Sequence, residues 1–294
     1  MTAGQPTPTD EDILAALNRT GYIFEQRVAA LFGETASTGW SFKDQDTGTS
    51  REIDIFYSRG VHSFDLNHVP VDLSWIILGE CKNYQWPWVA LTKPWPISEY
   101  RWYLQQAISD LDQALMSLGA KIRIDSAGRP GGREKPFLAT YKEKRFHSRP
   151  RAVQLVKLNK KSGGWEAHTG DIFGDITYPL AKATSHLGQE FAKRVGQHEL
   201  LNARVDVTLL FPAIFVSSPI YVVGAGHENP EVGQAAHVIL ERRLSSESVS
   251  GLFRFDVVHV DGVRDWYNNF VLPVVREFAE KLHISPAERG FSPL

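Results

Sequence analysis

The chain has almost no cysteine: Cys81 is the only one among its 294 residues. A single cysteine excludes a disulfide framework within the chain and is typical of a protein in a reducing compartment. No stretch approaches the roughly 18 consecutive apolar residues of a membrane-spanning helix, and the nearest candidate, 209–223, is interrupted by prolines and serines. The first twelve residues are polar and lack an apolar signal segment. We therefore expect a cytoplasmic protein without a membrane partner.

The rest of the composition is that of an ordinary globular protein. Hydrophobic residues form 43% of the chain and charged residues 22%, which excludes a disordered or fibrous class. A chain of this length buries roughly 75% of its unfolded surface, so its core needs no covalent staple. It could fold as one large domain or as two smaller ones.

The positive charge is concentrated in one segment. Residues 121–161 hold 13 Lys or Arg against 3 Asp or Glu, and 13 − 3 = +10. Because the whole chain carries −2, the remainder carries −2 − 10 = −12. A basic segment on an otherwise acidic chain favours a polyanionic partner. A flexible, solvated insertion is the alternative interpretation of the same pattern.

The order of predicted elements indicates an α/β protein. We divide the chain into a leader (1–12), a core with the candidate site (13–120), a basic insertion (121–161) and a remainder (162–294). That remainder either completes the same α/β domain or forms an appended module. Apolar spacing predicts helices over 22–32, with an N-cap at Thr20, and over 98–118, 180–195 and 263–282. Strands are predicted over 51–57, 71–82, 151–158, 205–211, 214–223, 237–244 and 252–260.

Charged residues end two of the predicted strands. In 51–57 the alternation places Ile53 and Ile55 on one face and Asp54 on the other. In 71–82 Glu80 and Lys82 share a face, while Cys81 points the other way. If the two strands form a hairpin, Asp54 lies beside Glu80. Two carboxylates and an ammonium at the end of a sheet can hold a divalent cation and activate a water, which predicts phosphodiester hydrolysis.

The arrangement resembles the PD-(D/E)xK nuclease superfamily, and within it the Mrr-like branch. The similarity runs from Gly21 to about Leu118, and three phrases carry it: 21–25 (GYIFE), 51–54 (REID) and 79–82 (GECK). Ile53 stands where the name of the superfamily has proline. The resemblance implies a restriction-endonuclease-like core, a mixed central β-sheet flanked by helices. A basic insertion and further C-terminal strands and a helix would complete this α/β fold.

The resemblance also implies a site and its partners. Asp54, Glu80, Lys82 and Glu25 would be catalytic in a Mg²⁺-dependent endonuclease acting on DNA, with RNA left open and a role in restriction or defence. Mg²⁺, for which Mn²⁺ would substitute, would be held by Asp54, Glu80, Glu25 and the backbone carbonyl of Cys81. A homodimer is compatible with double-strand cleavage. The residues expected to hold the nucleic-acid backbone are Lys142, Lys144, Arg145, Arg149, Arg151, Lys160 and Lys161.

Other interpretations of these residues stay open from sequence alone. Glu80 and Lys82 could be a structural ion pair, and the chain could be a non-catalytic nucleic-acid-binding or interaction protein on a nuclease-derived scaffold. Cys81 is expected to pack in the core rather than act as a nucleophile. The aromatic residues after the second strand could stack on bases. We expect them instead to pack a proline-rich loop against the core: Tyr84, Trp86, Trp88, Trp95 and Trp102.

Overall fold

The structure is a computed structural model that describes most of the chain. The described residues are 7–66, 69–92, 150–170, 172–198, 205–226, 228–281, 291 and 293–294. The predicted helix over 98–118 and most of the basic segment lie outside them. Within the described residues the chain is an α/β protein with one large mixed sheet flanked by a few helices.

The described helices lie at the start, the middle and the end of the chain. They are α1 (Asp10–Thr20), α2 (Tyr22–Phe32), α3 (Tyr178–His198), α4 (Val263–Trp266) and α5 (Leu272–Lys281). A π-helical turn, Phe173–Thr177, precedes α3, and another, Tyr267–Val271, joins α4 to α5. The N-cap of α2 is Gly21 with φ 88°, not Thr20, because only this left-handed residue separates α2 from α1. None of the described helices is long and apolar enough to cross a membrane.

The strands of the described residues form one large sheet and one small one. They are β1 (Ala36–Ser37), β2 (Trp40–Lys43), β3 (Ser50–Ile53), β4 (Ile55–Leu66), β5 (Val69–Lys82), β6 (Trp88–Thr92), β7 (Arg151–Lys161), β8 (Gly164–His168), β9 (Val205–Val216), β10 (Ile220–Gly224), β11 (Val232–Ala235), β12 (His237–Ser245) and β13 (Ser250–His259). The large sheet has the order β1-β4-β5-β9-β13-β12-β7-β6-β10-β11, with β8 paired to β7. Strands β2 and β3 form the separate two-stranded sheet.

Three parallel strands end at the same edge of the large sheet. β9 is parallel to β5 on one side and to β13 on the other. Val216 is in register with Lys82 of β5 and with His259 of β13, so the three carboxyl ends lie side by side. This is the edge at which open α/β sheets commonly bind ligands. The predicted hairpin of 237–244 and 252–260 is confirmed as β12 and β13.

Two apolar cores cover the two faces of the sheet. The first core contains α2 and the C-terminal helices, with Phe24, Val28, Trp266 and Phe270 among its buried residues. The second core contains α3 and the β2–β3 sheet, with Leu180, Ile53 and Phe42. The alternation predicted for β5 is confirmed, because Ile76 and Leu78 belong to the second core while Trp75, Ile77 and Cys81 belong to the first.

The prediction of one continuous strand over 51–57 is wrong. The chain bends at Asp54, which separates β3 from β4. Ile53 pairs with Trp40 in the small sheet and enters the second core, whereas Ile55 pairs with Gly79 and enters the first core. Both isoleucines are fully buried, so each of the two cores takes one of them. Strict alternation predicts that Ile53 and Ile55 share one face, because a period-two pattern does not reveal a bend from one sheet into another.

The division of the second half into strands also differs from the prediction. Strand β9 runs through Pro212 instead of stopping before it. Pro212 lies opposite Leu78 of β5, and the pairing of β13 with β9 begins only at Ala213. Pro212 has no backbone N–H to donate, and it lies at a position of β9 that β13 does not yet reach.

Candidate active site

The pairing of β4 with β5 brings Asp54 to the end of β5. Ile55 is in register with Gly79, so the next position along each strand sets Asp54 beside Glu80. The Cys81 N–H donates a hydrogen bond of 2.6 Å to Oδ2 of Asp54. Asp54 lies at the bend between β3 and β4 and belongs to neither strand. Its carboxylate can therefore reach the Cys81 N–H. The predicted neighbourhood of Asp54 and Glu80 is thus present.

Glu80 and Lys82 form a close ion pair on the same face of β5. Lys82 Nζ donates to Oε1 of Glu80 at 2.7 Å. The other carboxylate oxygen, Oε2 of Glu80, is buried and has no hydrogen-bond partner among the residues that the structure describes. Because a buried acceptor without a donor is costly, Glu80 is only half satisfied by Lys82. The side chain of Lys82 remains 25% exposed, so its ammonium is accessible from outside.

Gly79 lets the strands carrying these residues approach closely. A Cβ at this position would meet the Phe215 ring at 2.6 Å and Cβ of Ile55 at 2.8 Å. Real Cβ atoms essentially never come so near, and Ile55 and Phe215 are fully buried. Glycine therefore sets the distance between β4, β5 and the first core directly beside Glu80.

Burial and like charges raise the pKa of the carboxyl groups in this cluster. The pKa of Glu80 rises from 4.5 to about 7, mainly through burial and then through the charge of Asp54, while Lys82 works in the opposite direction. Burial also raises the pKa of Asp54, against the lowering effect of the Cys81 N–H. For Glu25 on α2, burial and the charge of Asp54 raise the pKa. We call Glu25, Asp54, Glu80 and Lys82 the acidic site.

Lys82 is a firmly charged member of the acidic site. Burial by itself would lower the pKa of Lys82, but the charge and hydrogen bond of Glu80 and the charge of Asp54 raise it overall. Asp175 contributes in the same direction. This exposed carboxylate belongs to the π-helical turn before α3 and was missed by sequence reasoning. Asp175 carries no motif or spacing that would have singled it out.

The donor set of the acidic site is compatible with Mg²⁺. No three His, Cys, Asp or Glu side chains lie close enough together, within the part of the chain that the structure describes, to hold a metal ion. Asp54 and Glu80 nevertheless offer two neighbouring carboxylates, and Mg²⁺ is often bound through one or two carboxylates while it keeps several waters. The buried, unpartnered Oε2 of Glu80 is an oxygen that a cation would satisfy. Glu25 supplies charge near this pair.

Cys81 belongs to the core, as predicted. Its side chain is 8% exposed and packs in the first core, on the opposite face of β5 from Glu80. Burial, followed by the charges of Asp54, Glu25 and Glu80, raises the pKa of the thiol well above its ordinary value. A thiol that stays protonated is a poor nucleophile.

The structure separates the predicted nucleic-acid contacts into three groups. Lys142, Lys144, Arg145 and Arg149 lie outside the described residues. Arg151 is 9% exposed at the start of β7, where burial lowers the pKa of its guanidinium to about 10 and the charge of Glu241 partly opposes this. Arg151 thus lies buried on an inner strand of the sheet, and its contact with nucleic acid stays a prediction. Lys160 and Lys161 are exposed at the end of β7, and thus available to a partner.

A second charged cluster joins the β2–β3 hairpin to α3. Lys182 of α3 donates to Asp44 at 2.9 Å and pairs with Asp46 at 2.8 Å, while Arg51 pairs with Asp44 from the other side. The Ser248 N–H donates to Asp46 at 2.7 Å. These contacts fasten the hairpin to α3. We call Asp44, Asp46, Arg51 and Lys182 the ionic clip.

Comparison with known proteins adds no relative. No protein-family model, curated protein or solved structure matches the chain. The resemblance to the PD-(D/E)xK nucleases therefore stays a prediction from the order of the site residues along the chain.

Proposed function

We propose that the protein is a Mg²⁺-dependent nuclease that hydrolyses phosphodiester bonds of DNA at the acidic site. The observation that carries the proposal is the buried, half-satisfied Glu80 between Asp54 and Lys82 at the carboxyl end of β5. Unsatisfied buried charge is costly and is found where function requires it. A purely structural Glu–Lys pair would have no need of a second, half-buried carboxylate beside it.

Each residue of the acidic site has a task in this reaction. Asp54 and Glu80, together with the backbone carbonyl of Cys81, would hold Mg²⁺. Held there, Mg²⁺ would supply Lewis-acid chemistry: it would lower the pKa of a water and neutralise charge on the phosphate oxygens. Asp54 is kept in position by the Cys81 N–H. Glu25 adds negative charge that favours a divalent cation over the protons on its neighbours.

Lys82 completes the arrangement on the side facing outward. Its ammonium is oriented by Glu80 at 2.7 Å and remains accessible. It would hold the attacking water or stabilise the negative charge that develops on the phosphate. Water would attack the phosphorus in line, and the P–O bond to the sugar oxygen on the opposite side would break. The attacking water would lose a proton and the departing sugar oxygen would take one up, so that no covalent intermediate with the protein forms.

A non-catalytic nucleic-acid-binding protein is the second candidate function. One observation favours it: the described residues contain no three-ligand group for a metal. On this alternative Glu80 and Lys82 are a structural pair inherited from a nuclease scaffold. The alternative leaves the rise in the Glu80 pKa and the second carboxylate, Asp54, without a purpose.

Cleavage of supercoiled plasmid separates the two functions. We expect nicking or linearisation with Mg²⁺ or Mn²⁺ but not with EDTA, and we expect Asp54→Ala and Lys82→Ala each to lower the rate by about 100-fold or more. Glu52→Ala is the matched control, since Glu52 is exposed and lies two residues from Asp54.

The outcomes lead to different conclusions. Retained DNA binding without cleavage of plain or methylated plasmid would favour the non-catalytic protein. Cleavage that survives both Asp54→Ala and Lys82→Ala would contradict the acidic site as the origin of the activity.

A further inference from the structure

A cluster of aromatic and basic side chains follows the acidic site along the chain. The loop 83–87 follows Lys82 directly. It brings Tyr84 and then Trp86 against strands β7 and β8. Trp86 meets Trp165 of β8 edge to face, with ring centroids 5.4 Å apart. Lys160 Nζ lies 5.0 Å from the centre of the Trp165 ring. Lys157 Nζ lies 5.6 Å from the ring of Tyr84 and 5.6 Å from that of Trp88.

Core packing accounts for only part of this cluster. Trp88 is fully buried, which confirms the packing prediction for that residue, and Tyr84 packs half-buried against the second core. Trp165 is different, because it is 50% exposed. Among the described strands β8 pairs with β7 alone, and none of the residues of β8 is buried. Among the described residues, neither apolar core includes Trp165.

Hydrogen bonds hold the loop rigidly beside the acidic site. The Tyr84 N–H donates to Ser217 Oγ at 3.1 Å, and the Ser218 hydroxyl donates to the Trp86 carbonyl at 2.8 Å. The Leu158 N–H donates to the Pro87 carbonyl at 3.0 Å. Trp86 is thus fixed four residues beyond Lys82, within about 14 Å even for a fully extended chain. Aromatic rings fixed in advance lose little freedom when a ligand stacks on them.

The charge of the cluster matches an anionic chain. Residues 157–168 contain three lysines and one glutamate, and 3 − 1 = +2. The ion pair of Lys161 with Glu166 is 3.6 Å long, and both side chains are more than half exposed, so it ties up little of this charge. Exposed aromatic rings interleaved with lysines are the surface on which bases stack while phosphates are neutralised.

We propose that Trp86, Trp165, Lys157 and Lys160 form a stacking platform that binds unpaired bases of a single-stranded DNA segment adjoining the acidic site. The proposal rests on the proposed function and names its substrate class: DNA with unpaired nucleotides next to the bond that is cut. Duplex DNA keeps its bases paired inside the helix and offers the platform only phosphates.

Binding in EDTA tests the platform without cleavage. Fluorescence anisotropy would compare a labelled 20-nucleotide single strand with the duplex of the same sequence. We expect Trp165→Ala to weaken binding of the single strand about 5- to 150-fold and to leave duplex binding unchanged within about twofold. Val232→Ala is the control, because Val232 is 67% exposed on another edge strand, β11.

Two further variants keep the test decisive if Trp165→Ala fails to fold. Trp165→Phe keeps an aromatic ring and should retain most of the affinity for the single strand. Lys160→Gln should reduce the slope of log K against log salt by about 0.7 on the single strand, whereas Lys43→Gln, at an exposed position on β2, should not.

Failure of the platform and failure of the nuclease are distinguishable. Single-strand affinity that is unchanged in Trp165→Ala, or lost equally for duplex, overturns the platform even if Asp54→Ala abolishes cleavage. Absence of single-strand binding by the native protein also overturns it. Loss of single-strand binding in Trp165→Ala supports the platform, and in a chain that cleaves no DNA it does so for a non-catalytic binding protein.

Discussion

The acidic site and the ionic clip both contain residues of the segment 44–54, but they differ in how their negative charges are balanced by cations. In the clip two carboxylates meet two cations, and every pair is shorter than 3.0 Å. In the acidic site three carboxylates share the single ammonium of Lys82. Asp44 of the clip is 1% exposed, and Glu80 of the site is 7% exposed. Both side chains are hidden from solvent, but Glu80 lies deeper within the protein than Asp44, so the two clusters differ in depth of burial as well as in the number of partners.

The pKa values of Asp44 and Glu80 differ in the direction that these surroundings predict. Burial by itself would raise the pKa of Asp44, but hydrogen bonds from Lys182 and Arg51 lower it to about 2. Glu80 lies deeper and has Lys82 as its cationic partner, and its pKa rises to about 7. Buried carboxylates with enough cationic partners stabilise the fold, whereas buried carboxylates with too few partners lower its stability. Such a cost is expected at a functional site and not in a structural clip.

The largest effect is expected when the clip is broken. Lys182→Met should lower the free energy of unfolding at pH 7 by about 3 kcal/mol, because it leaves buried Asp44 with Arg51 alone. Urea unfolding followed by circular dichroism would measure the loss. Lys161→Met is the matched control, with an expected change below about 0.5 kcal/mol, since its pair with Glu166 is exposed.

The acid limb of the stability curve checks the cause of that loss. The folded-state pKa of Asp44 lies below its unfolded value of 3.8, so its stabilisation is complete above pH 3.8 and disappears as the pH falls towards 2. The stability difference between the native chain and Lys182→Met should shrink over this range. A difference that is constant with pH would attribute the loss to packing of the lysine stem instead.

The opposite sign is expected in the acidic site. Glu80→Gln should raise the free energy of unfolding at pH 8 by about 2 kcal/mol while it abolishes metal-dependent cleavage. The folded-state pKa of Glu80 lies above the unfolded value of 4.5, so native stability falls as the pH rises from 4.5 to about 7. The neutral amide avoids this fall, and the gain should vanish below about pH 4.5.

Thermal or urea unfolding across pH 4 to 8 would follow this gain. Glu52→Gln, at the exposed position before Ile53, should run parallel to the native curve. If Glu80→Gln destabilises the protein at pH 8, then the Glu80–Lys82 pair is a structural one and the comparison with the clip fails.

The sequence predicted the acidic site better than it predicted the fold around it. Glu80 and Lys82 were found because a strand has a period of two and β5 is apolar on both faces, so its alternation is easily recognised. The bend at Asp54 was not found, since it depends on a second sheet that competes for Ile53. Lys182 and Asp175 lie more than 90 residues further along the chain than Lys82. Tertiary packing brings Lys182 to Asp44 and Asp175 towards Lys82, and no local sequence pattern predicts these contacts.

The smallest effect is expected for Glu25→Gln. Glu25 is half-buried, and its charge raises the pKa of Glu80 only as the weakest of several causes. The substitution should therefore change stability at pH 8 by less than about 0.5 kcal/mol. It should also move the midpoint of the pH-dependent loss of native stability to lower pH. In the Glu80→Gln background both effects should be smaller, because one of the groups coupled to Glu25 is gone while Asp54 and Lys82 remain. An equal effect of Glu25→Gln in both backgrounds would remove Glu25 from the acidic site and leave Asp54, Glu80 and Lys82 as its members.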